Sequence, residues 1–173
     1  ILDKNYAIKT AKIHHYKDAL IIDKHRSLRE IKEYRQGFFE IQDANSQAIT
    51  PWLKPSSGKY YIDACAGAGG KSLHIASLTG DKAKIMALDI YESKLKELQK
   101  RAIRNNVESI KTTLIMNPEI IKSLKANADG LLIDAPCSGI GVLKRNPDTK
   151  WLMNPDRIKK ILNRQENILQ TYS

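Results

Sequence analysis

Tyr60-Tyr61-Ile62-Asp63-Ala64-Cys65-Ala66-Gly67-Ala68-Gly69-Gly70-Lys71-Ser72 is the stretch whose reading decides the fold. Tyr60 to Ile62 have strand character and run into an acid, then into a glycine-rich turn. A helical pattern follows to about Thr79, with Gly80 after it. A strand, a glycine-rich turn and a helix in that order bring backbone close to a ligand. The helix start adds free N–H groups.

The same rhythm continues outward from this stretch. Ala83 to Leu88 reads as a strand ending in Asp89, and Glu92 to about Asn106 as an amphipathic helix. Leu95, Leu98, Ala102 and Ile103 fall at helical spacing, and Glu92/Lys96 and Glu97/Arg101 are supporting i,i+4 pairs. Thr112 to Ile115 is a strand ending near Asn117, and Pro118 to Lys125 a short helix. Leu131 to Ile133 is a strand ending in Asp134. After a long loop, Pro155 to Tyr172 forms a helix with Ile158, Ile161, Leu162, Ile168 and Leu169 on one face. The alternation predicts an α/β domain with a mostly parallel sheet, helices on both faces and right-handed crossovers. In such a sheet, ligands bind at the carboxyl ends of the strands.

Residues 1–50 read as a lead-in segment to a main domain over 51–173. Ala19 to Ile22 is a short strand, and Ser27 caps a brief helix through Tyr34 that Gly37 ends. Phe38 to Ile41 reads as a further strand. Gln42 to Gln47 opens a helix that the Pro51 and Pro55 region closes.

The 173 residues suffice for one domain with a core. With 42% hydrophobic and 28% charged residues the chain is of the soluble globular class, and no apolar run is long enough to span a membrane. The formal net charge is +10. That excess fits either plain solubility or a polyanionic partner, most simply nucleic acid. The two cysteines, Cys65 and Cys137, make no disulfide scaffold. Without a signal sequence they imply a reducing cytosol and a cytoplasmic protein. His14, His15, His25 and His74 are scattered, so no metal site is expected. The chain begins at Ile1 without Met and stops at Ser173 inside a helical pattern, so it reads as a portion of something longer.

Two strand ends carry the chemistry. At the first, Gly67, Gly69 and Gly70 free the turn. Asp89, about 20 residues on, is placed to accept from both hydroxyls of a ribose. The plain alternative is a tight turn with Asp89 capping the next helix. A rival is a phosphate-binding loop, because Gly70-Lys71-Ser72 matches its end and Asp134 would serve Mg²⁺. Its first glycine would then fall at Cys65, which takes left-handed backbone angles less cheaply.

The second strand end is Asp134-Ala135-Pro136-Cys137-Ser138-Gly139. An acid and a thiol three residues apart suit chemistry on a cytosine. A thiolate adds to carbon 6, carbon 5 becomes nucleophilic, and the acid holds the N3/N4 edge. An inert small cysteine is the plainer fate of Cys137. For Cys65 a backbone role in the turn is expected. Lys144, Arg145 and Lys150, beside Trp151, could grip phosphates and stack a base, or could be a solvated charge run with a core tryptophan.

From about Gly37 onward, these residues resemble the Sun (Fmu)-type RNA cytosine-5 methyltransferases, particularly the ribosomal small-subunit methyltransferase B branch. The resemblance rests on Gly37 to Asp43 with Ser46-Gln47, the turn Asp63 to Ser72, and Ala87-Leu88-Asp89. Asp134 to Gly139 and Arg145 to Asp148 with Lys150-Trp151 complete it. It implies the Rossmann-like fold of S-adenosylmethionine methyltransferases, incomplete at the C-terminus here. It implies S-adenosylmethionine bound by Cys65, Ala66, Gly67, Ala68, Gly69, Gly70 and Lys71, with Asp89 on the ribose and Asp134 between cofactor and target base. Adenine is usually met by an acid ending the third strand, and here that position is Asn117. The family's turn usually carries a proline where this chain has Ala68, which loosens it. The implied partner is RNA, with ribosomal RNA favoured and transfer RNA the alternative. Family members place the nucleophile in a later Thr-Cys motif, which these 173 residues do not contain. Cys137 is then the helper that assists product release, and this piece by itself is expected to be inactive. A phosphate-loop nucleotide hydrolase and a non-catalytic RNA-binding module remain as alternatives.

Overall fold

The computed structural model describes all residues except 1, 7, 14, 15, 23–26, 125, 126 and 173. His14, His15, His25 and Lys125, named above, thus lie outside the described residues. A first helix, α1 (Leu2–Tyr6), precedes a hairpin of β1 (Thr10–Ile13) and β2 (Tyr16–Ile22). The two strands pair antiparallel, with a register shift between Lys12 and Ile13. The expected Ala19–Ile22 strand is therefore longer, and its partner was not anticipated.

Ile8, Leu28 and Ile31 form a buried cluster flanked by Tyr34 and Phe39. This cluster explains the first departure from expectation. The single helix expected from Ser27 to Tyr34 is split into a 3-10 turn at Leu28–Glu30 and α2 (Lys32–Arg35). Ile31 between them is extended (φ −76°, ψ 148°) and 6% exposed, and the Ser27 side chain makes no capping bond. A β-branched residue with a buried slot to fill outweighs the weak local preference for helix. The strand expected over Phe38–Ile41 does not form. Phe38 is 71% exposed, and Glu40 is drawn to arginines 61 and 64 residues on. Among the described residues, no strand pairs with this segment.

Helix α3 (Ala44–Trp52) starts where Asp43 accepts a hydrogen bond from the Asn45 amide at 2.9 Å. The main sheet then builds from β3 (Tyr60–Asp63), α4 (Gly70–Leu78), β4 (Lys84–Asp89), α5 (Glu92–Arg104) and β5 (Ile110–Leu114). After α6 (Pro118–Lys122) the chain returns to add β6 (Gly130–Leu132) on the other side of β3. The order is β5-β4-β3-β6, and every pairing is parallel. The chain thus reverses its direction of growth between β3 and β6, which is the switch point where open α/β sheets bind ligands.

Burial follows the periods read from the sequence. Tyr61, Ile75, Ala76, Ala83 and Ile85 pack on one side of the sheet, and Ala66, Ala87 and Leu98 form a second cluster. Leu95, Leu98 and Ala102 of α5 are buried, but Ile103 is 79% exposed and takes no part in that face. The Glu92–Lys96 pair forms at 2.9 Å, whereas Arg101 abandons Glu97 for Glu40 and the carbonyl of Ala68. Past Gly139, a 3-10 turn (Ile140–Val142) and α7 (Thr149–Leu152) occupy what read as loop, and α8 (Pro155–Tyr172) runs as expected. None of the described α8 residues is buried, and Ile158, Leu162 and Leu169 of its apolar face are exposed. No described helix is long and apolar enough to cross a membrane.

Candidate cofactor site

The carboxyl end of β3 is built around a buried acid. Asp63 is 1% exposed, and its Oδ2 accepts from the Ser72 hydroxyl at 2.6 Å. Its Oδ1 is buried without a hydrogen bond of good geometry, the Cys65 amide being near enough only to offset part of the rise that burial causes. Burial, and then the charge of Asp134, push the Asp63 carboxyl up to about 6. Next in sequence, the turn is stitched to its neighbours through the backbone. The Ala64 amide bonds Leu132 and the Ala66 amide bonds Leu88. Gly69 stands at the N-cap of α4 with φ +83°, and a Cβ there would lie 2.3 Å from Cγ of Leu98. Only glycine meets both the left-handed angle and the close helix.

Asp89 ends β4 with its carboxylate divided between two amides. Oδ2 accepts from Gly67 at 2.8 Å, and Oδ1 from Tyr91 at 2.9 Å. Asp89 thus shapes the turn and starts α5, and the remaining lone pairs of its carboxylate can still accept a hydroxyl.

A cavity of about 350 Å³ opens at the switch point, lined by Asp63, the turn from Cys65 to Ala68 with Gly70 and Lys71, and Asp134. Its far wall is Ile41, Gln42, Asp43 and Ser46, with Arg101 beside the turn. Lys71 joins these parts: its ammonium lies 2.5 Å from Asp134 Oδ2 and 3.2 Å from Ser46 Oγ. The volume falls in the range of small-molecule sites.

The Cys65 thiol lies half-buried at this cavity. Burial pushes it up to about 11, and the charges of Asp89, Asp63 and Asp134 add to the effect. It therefore stays protonated at neutral pH, in keeping with a backbone rather than a nucleophilic role. The Tyr172 phenol of α8 is pushed up to about 12 by burial and by Cys65 and Asp89.

Of the residues nominated from sequence, Gly69, Asp89, Asn117, Cys137, Lys144, Arg145 and Lys150 do not line the cavity, although Arg145 holds its wall residue Asp43. Asn117 is exposed, and its side-chain oxygen accepts from the Glu119 amide at 3.1 Å, capping α6. Cys137 is exposed, in a loop tied down where Gln165 donates to the Pro136 carbonyl at 2.9 Å. Lys144 is exposed, and Arg145 pairs with Asp43 at 2.5 Å. Lys150 sits 5.4 Å from the Trp151 ring centroid. Trp151 is 81% exposed, so it is a surface tryptophan and not a core one. Among the described residues, no group of three or more His, Cys, Asp or Glu could hold a metal ion.

The family described as "16S rRNA methyltransferase RsmB/F" matches residues 50–173. The chain belongs to this family. Among curated relatives, ribosomal RNA small subunit methyltransferase B of Escherichia coli O6:K15:H31 is 32% identical over 157 residues. That match covers 89% of this chain and 36% of the relative. The enzyme of the same name from Pectobacterium atrosepticum is 31% identical over 155 residues, with the same shares covered. The chain thus spans about a third of the length of these relatives.

Among solved structures, PH0851 superposes with a TM-score of 0.90 at 26% identity, covering 98% of this chain and 38% of that one. NSun6 from Pyrococcus horikoshii, solved with SFG, superposes with a TM-score of 0.77 at 28% identity, covering 89% and 40%. The RsmB/F chain therefore has the Rossmann-like methyltransferase fold that its parallel sheet already indicates.

Sequence reasoning assigned no site role to Asp63, Arg101 or Tyr172, or to the wall of Ile41, Gln42, Asp43 and Ser46. The signal for the wall was present: Gln42-Asp43 with Ser46-Gln47 carried part of the family resemblance. Asp63 was visible as a strand-end acid like Asp89 and Asp134.

Proposed function

We propose that this chain is part of an enzyme that methylates carbon 5 of a cytosine in RNA, ribosomal RNA by preference, with S-adenosylmethionine as donor. The observation that carries the reading is the cavity at the β3/β6 switch point, where Lys71 of the turn and Asp134 of the Asp-Ala-Pro-Cys loop meet. The donor set fits that molecule. The buried Oδ1 of Asp63, without a hydrogen bond of good geometry, offers an acceptor to an ammonium. Asp89 offers acceptors to a ribose, and the turn amides approach without side chains between. The match to a structure solved with SFG, an S-adenosylmethionine analogue, supports the same reading.

When bound, the cofactor supplies an electrophilic methyl on a sulfonium. The protein's part is to hold and orient. The Cys65–Lys71 turn receives the cofactor, and Asp89 fixes both the turn and the ribose. Asp134 stands where a cytosine edge would meet the donor, and the hydrogen bond from Lys71 holds its carboxylate in place. Asn117, if released from its cap, would accept from the adenine amine. Lys144, Arg145 and Lys150 would bind RNA phosphates, with Trp151 free to stack a base.

Cys137 would assist release of the methylated product, while a Thr-Cys cysteine outside these 173 residues adds to carbon 6. Residues 1–50 would form the lead-in and 51–173 the methyltransferase domain. The test is nucleoside mass spectrometry of ribosomal RNA after incubation with the longer protein and S-adenosylmethionine. The expected product is 5-methylcytidine, none being formed by the 173-residue chain. Methylation at any other atom would refute the reading.

A further inference from the structure

Nothing in Gly67-Ala68-Gly69-Gly70 restrains the backbone covalently, yet this turn has to present its amides at fixed positions. One side chain outside the turn grips its centre. Arg101 of α5 donates through Nη1 to the Ala68 carbonyl at 2.7 Å and through Nη2 to Glu40 Oε2 at 2.9 Å. The Arg101 side chain is 15% exposed and that of Glu40 21%. Glu40 also accepts from Arg104 and, at 2.5 Å, from Asn105 Nδ2. Burial by itself would raise the Glu40 carboxyl. The hydrogen bonds from Arg101 and Asn105 and the two guanidinium charges outweigh it and hold the group below its usual range.

The backbone around Glu40 is fixed on the same helix end. Gly37 has φ +76°, and a Cβ there would lie 2.1 Å from the Arg104 carbonyl oxygen, so the lead-in touches the end of α5 directly.

We propose that Arg101 is a positioning residue for the cofactor turn and that Glu40 holds it in place, so that the lead-in segment sets the shape of the binding cavity. The inference rests on the proposed cofactor reading. It goes further in giving the lead-in a function in cofactor binding. A planar guanidinium can serve a carbonyl and a carboxylate at once in fixed directions, which an ammonium does not reproduce. Glu40 does not line the cavity, and its described side-chain link to the turn runs through Arg101. Arg104 is the matched control. It shares the Glu40 carboxylate and lies over the Tyr34 ring at 4.0 Å, but its described contacts do not include the turn.

The test compares Arg101→Lys, Glu40→Gln and Arg104→Lys with the unmodified chain. Two readings are taken: amide hydrogen exchange over residues 66–70 without ligand, and calorimetric titration with S-adenosylmethionine. Arg101→Lys is expected to speed exchange in the turn and to weaken binding by about tenfold or more, the scale of one lost charge-assisted hydrogen bond. Glu40→Gln should act in the same direction by a smaller factor. Arg104→Lys should lower the thermal midpoint while leaving turn exchange and affinity within about twofold. If the unmodified chain binds and Arg101→Lys and Arg104→Lys match in both exchange and affinity, this inference alone falls. An unmodified chain that binds no S-adenosylmethionine overturns the cofactor reading and this inference with it.

Discussion

The ammonium of Lys71 lies 2.5 Å from Oδ2 of Asp134, joining the turn that follows β3 to the loop that follows β6. The pair is lopsided: the Lys71 side chain is 12% exposed and that of Asp134 53%. A pair with one partner this exposed contributes little to folding, on the order of 1 kcal/mol or less. Asp134→Asn should therefore change unfolding free energy by less than about 1 kcal/mol, yet weaken S-adenosylmethionine binding by about tenfold. Urea denaturation and calorimetry on the same variant separate the two effects. A stability loss of several times that size with intact binding would make Asp134 a structural residue.

Asp63 should give the protein a distinctive pH dependence. Its carboxyl sits near 6 when folded, chiefly through burial, against about 3.9 in an unfolded chain. Between about pH 4 and 6 the folded state keeps a proton that the unfolded state has lost. Stability from this group is complete at the acid end and falls as pH rises through that window, then levels off. Asp63→Asn keeps an acceptor for Ser72 and removes the slope. The variant should match the parent near pH 4 and exceed it above pH 6, measured by denaturant midpoints across the range. Parallel profiles would show that Asp63 ionises at an ordinary carboxyl value.

Two glycines of one turn should respond differently to the same change. At Gly69 a Cβ meets Leu98 Cγ at 2.3 Å as well as an unfavourable φ of +83°. At Gly67 φ is +54° and nothing lies within 4 Å of the added atom. Gly69→Ala should cost about 2 to 4 kcal/mol, from strain plus overpacking, and Gly67→Ala only about 1 to 2. Equal losses in urea denaturation would contradict the close approach of α5 to the turn.

The two cysteines should differ in reactivity. Cys65 is half-buried and pushed up to about 11, while Cys137 is exposed. At pH 7.5 iodoacetamide should modify Cys137 at least about tenfold faster than Cys65, as read by peptide mass spectrometry. Faster loss of Cys65 would mean that its thiol is activated.

The main sheet was legible because its signals are local. Tyr60 to Asp63, Lys84 to Asp89 and the α5 face of Leu95, Leu98 and Ala102 each follow from period and punctuation within a few residues. The strand-end acids Asp89 and Asp134 were legible for the same reason. Competition over long range was not. Arg101 had a suitable partner four residues away in Glu97, but its bond to Glu40 spans 61 positions. The segment Phe38–Ile41, expected as a strand, instead carries Glu40 to that bond. Ile31 broke a helix because a buried cluster drawn from α1, β2 and Phe39 had a place for it. Trp151 was open between a base-stacking surface residue and a core one, because residue type says little about burial at a single site, and it is exposed. Asn117 was nominated by its position at the end of β5, and its side chain is taken up by the α6 cap.

The most direct measurement is calorimetric titration of the 173-residue chain with S-adenosylmethionine and, separately, with Mg·ATP. Saturable binding of one S-adenosylmethionine per chain is expected, weakened by Asp134→Asn, with no saturable heat from Mg·ATP. Saturation by Mg·ATP without binding of S-adenosylmethionine would contradict the assignment of the cavity at Asp63, Lys71 and Asp134.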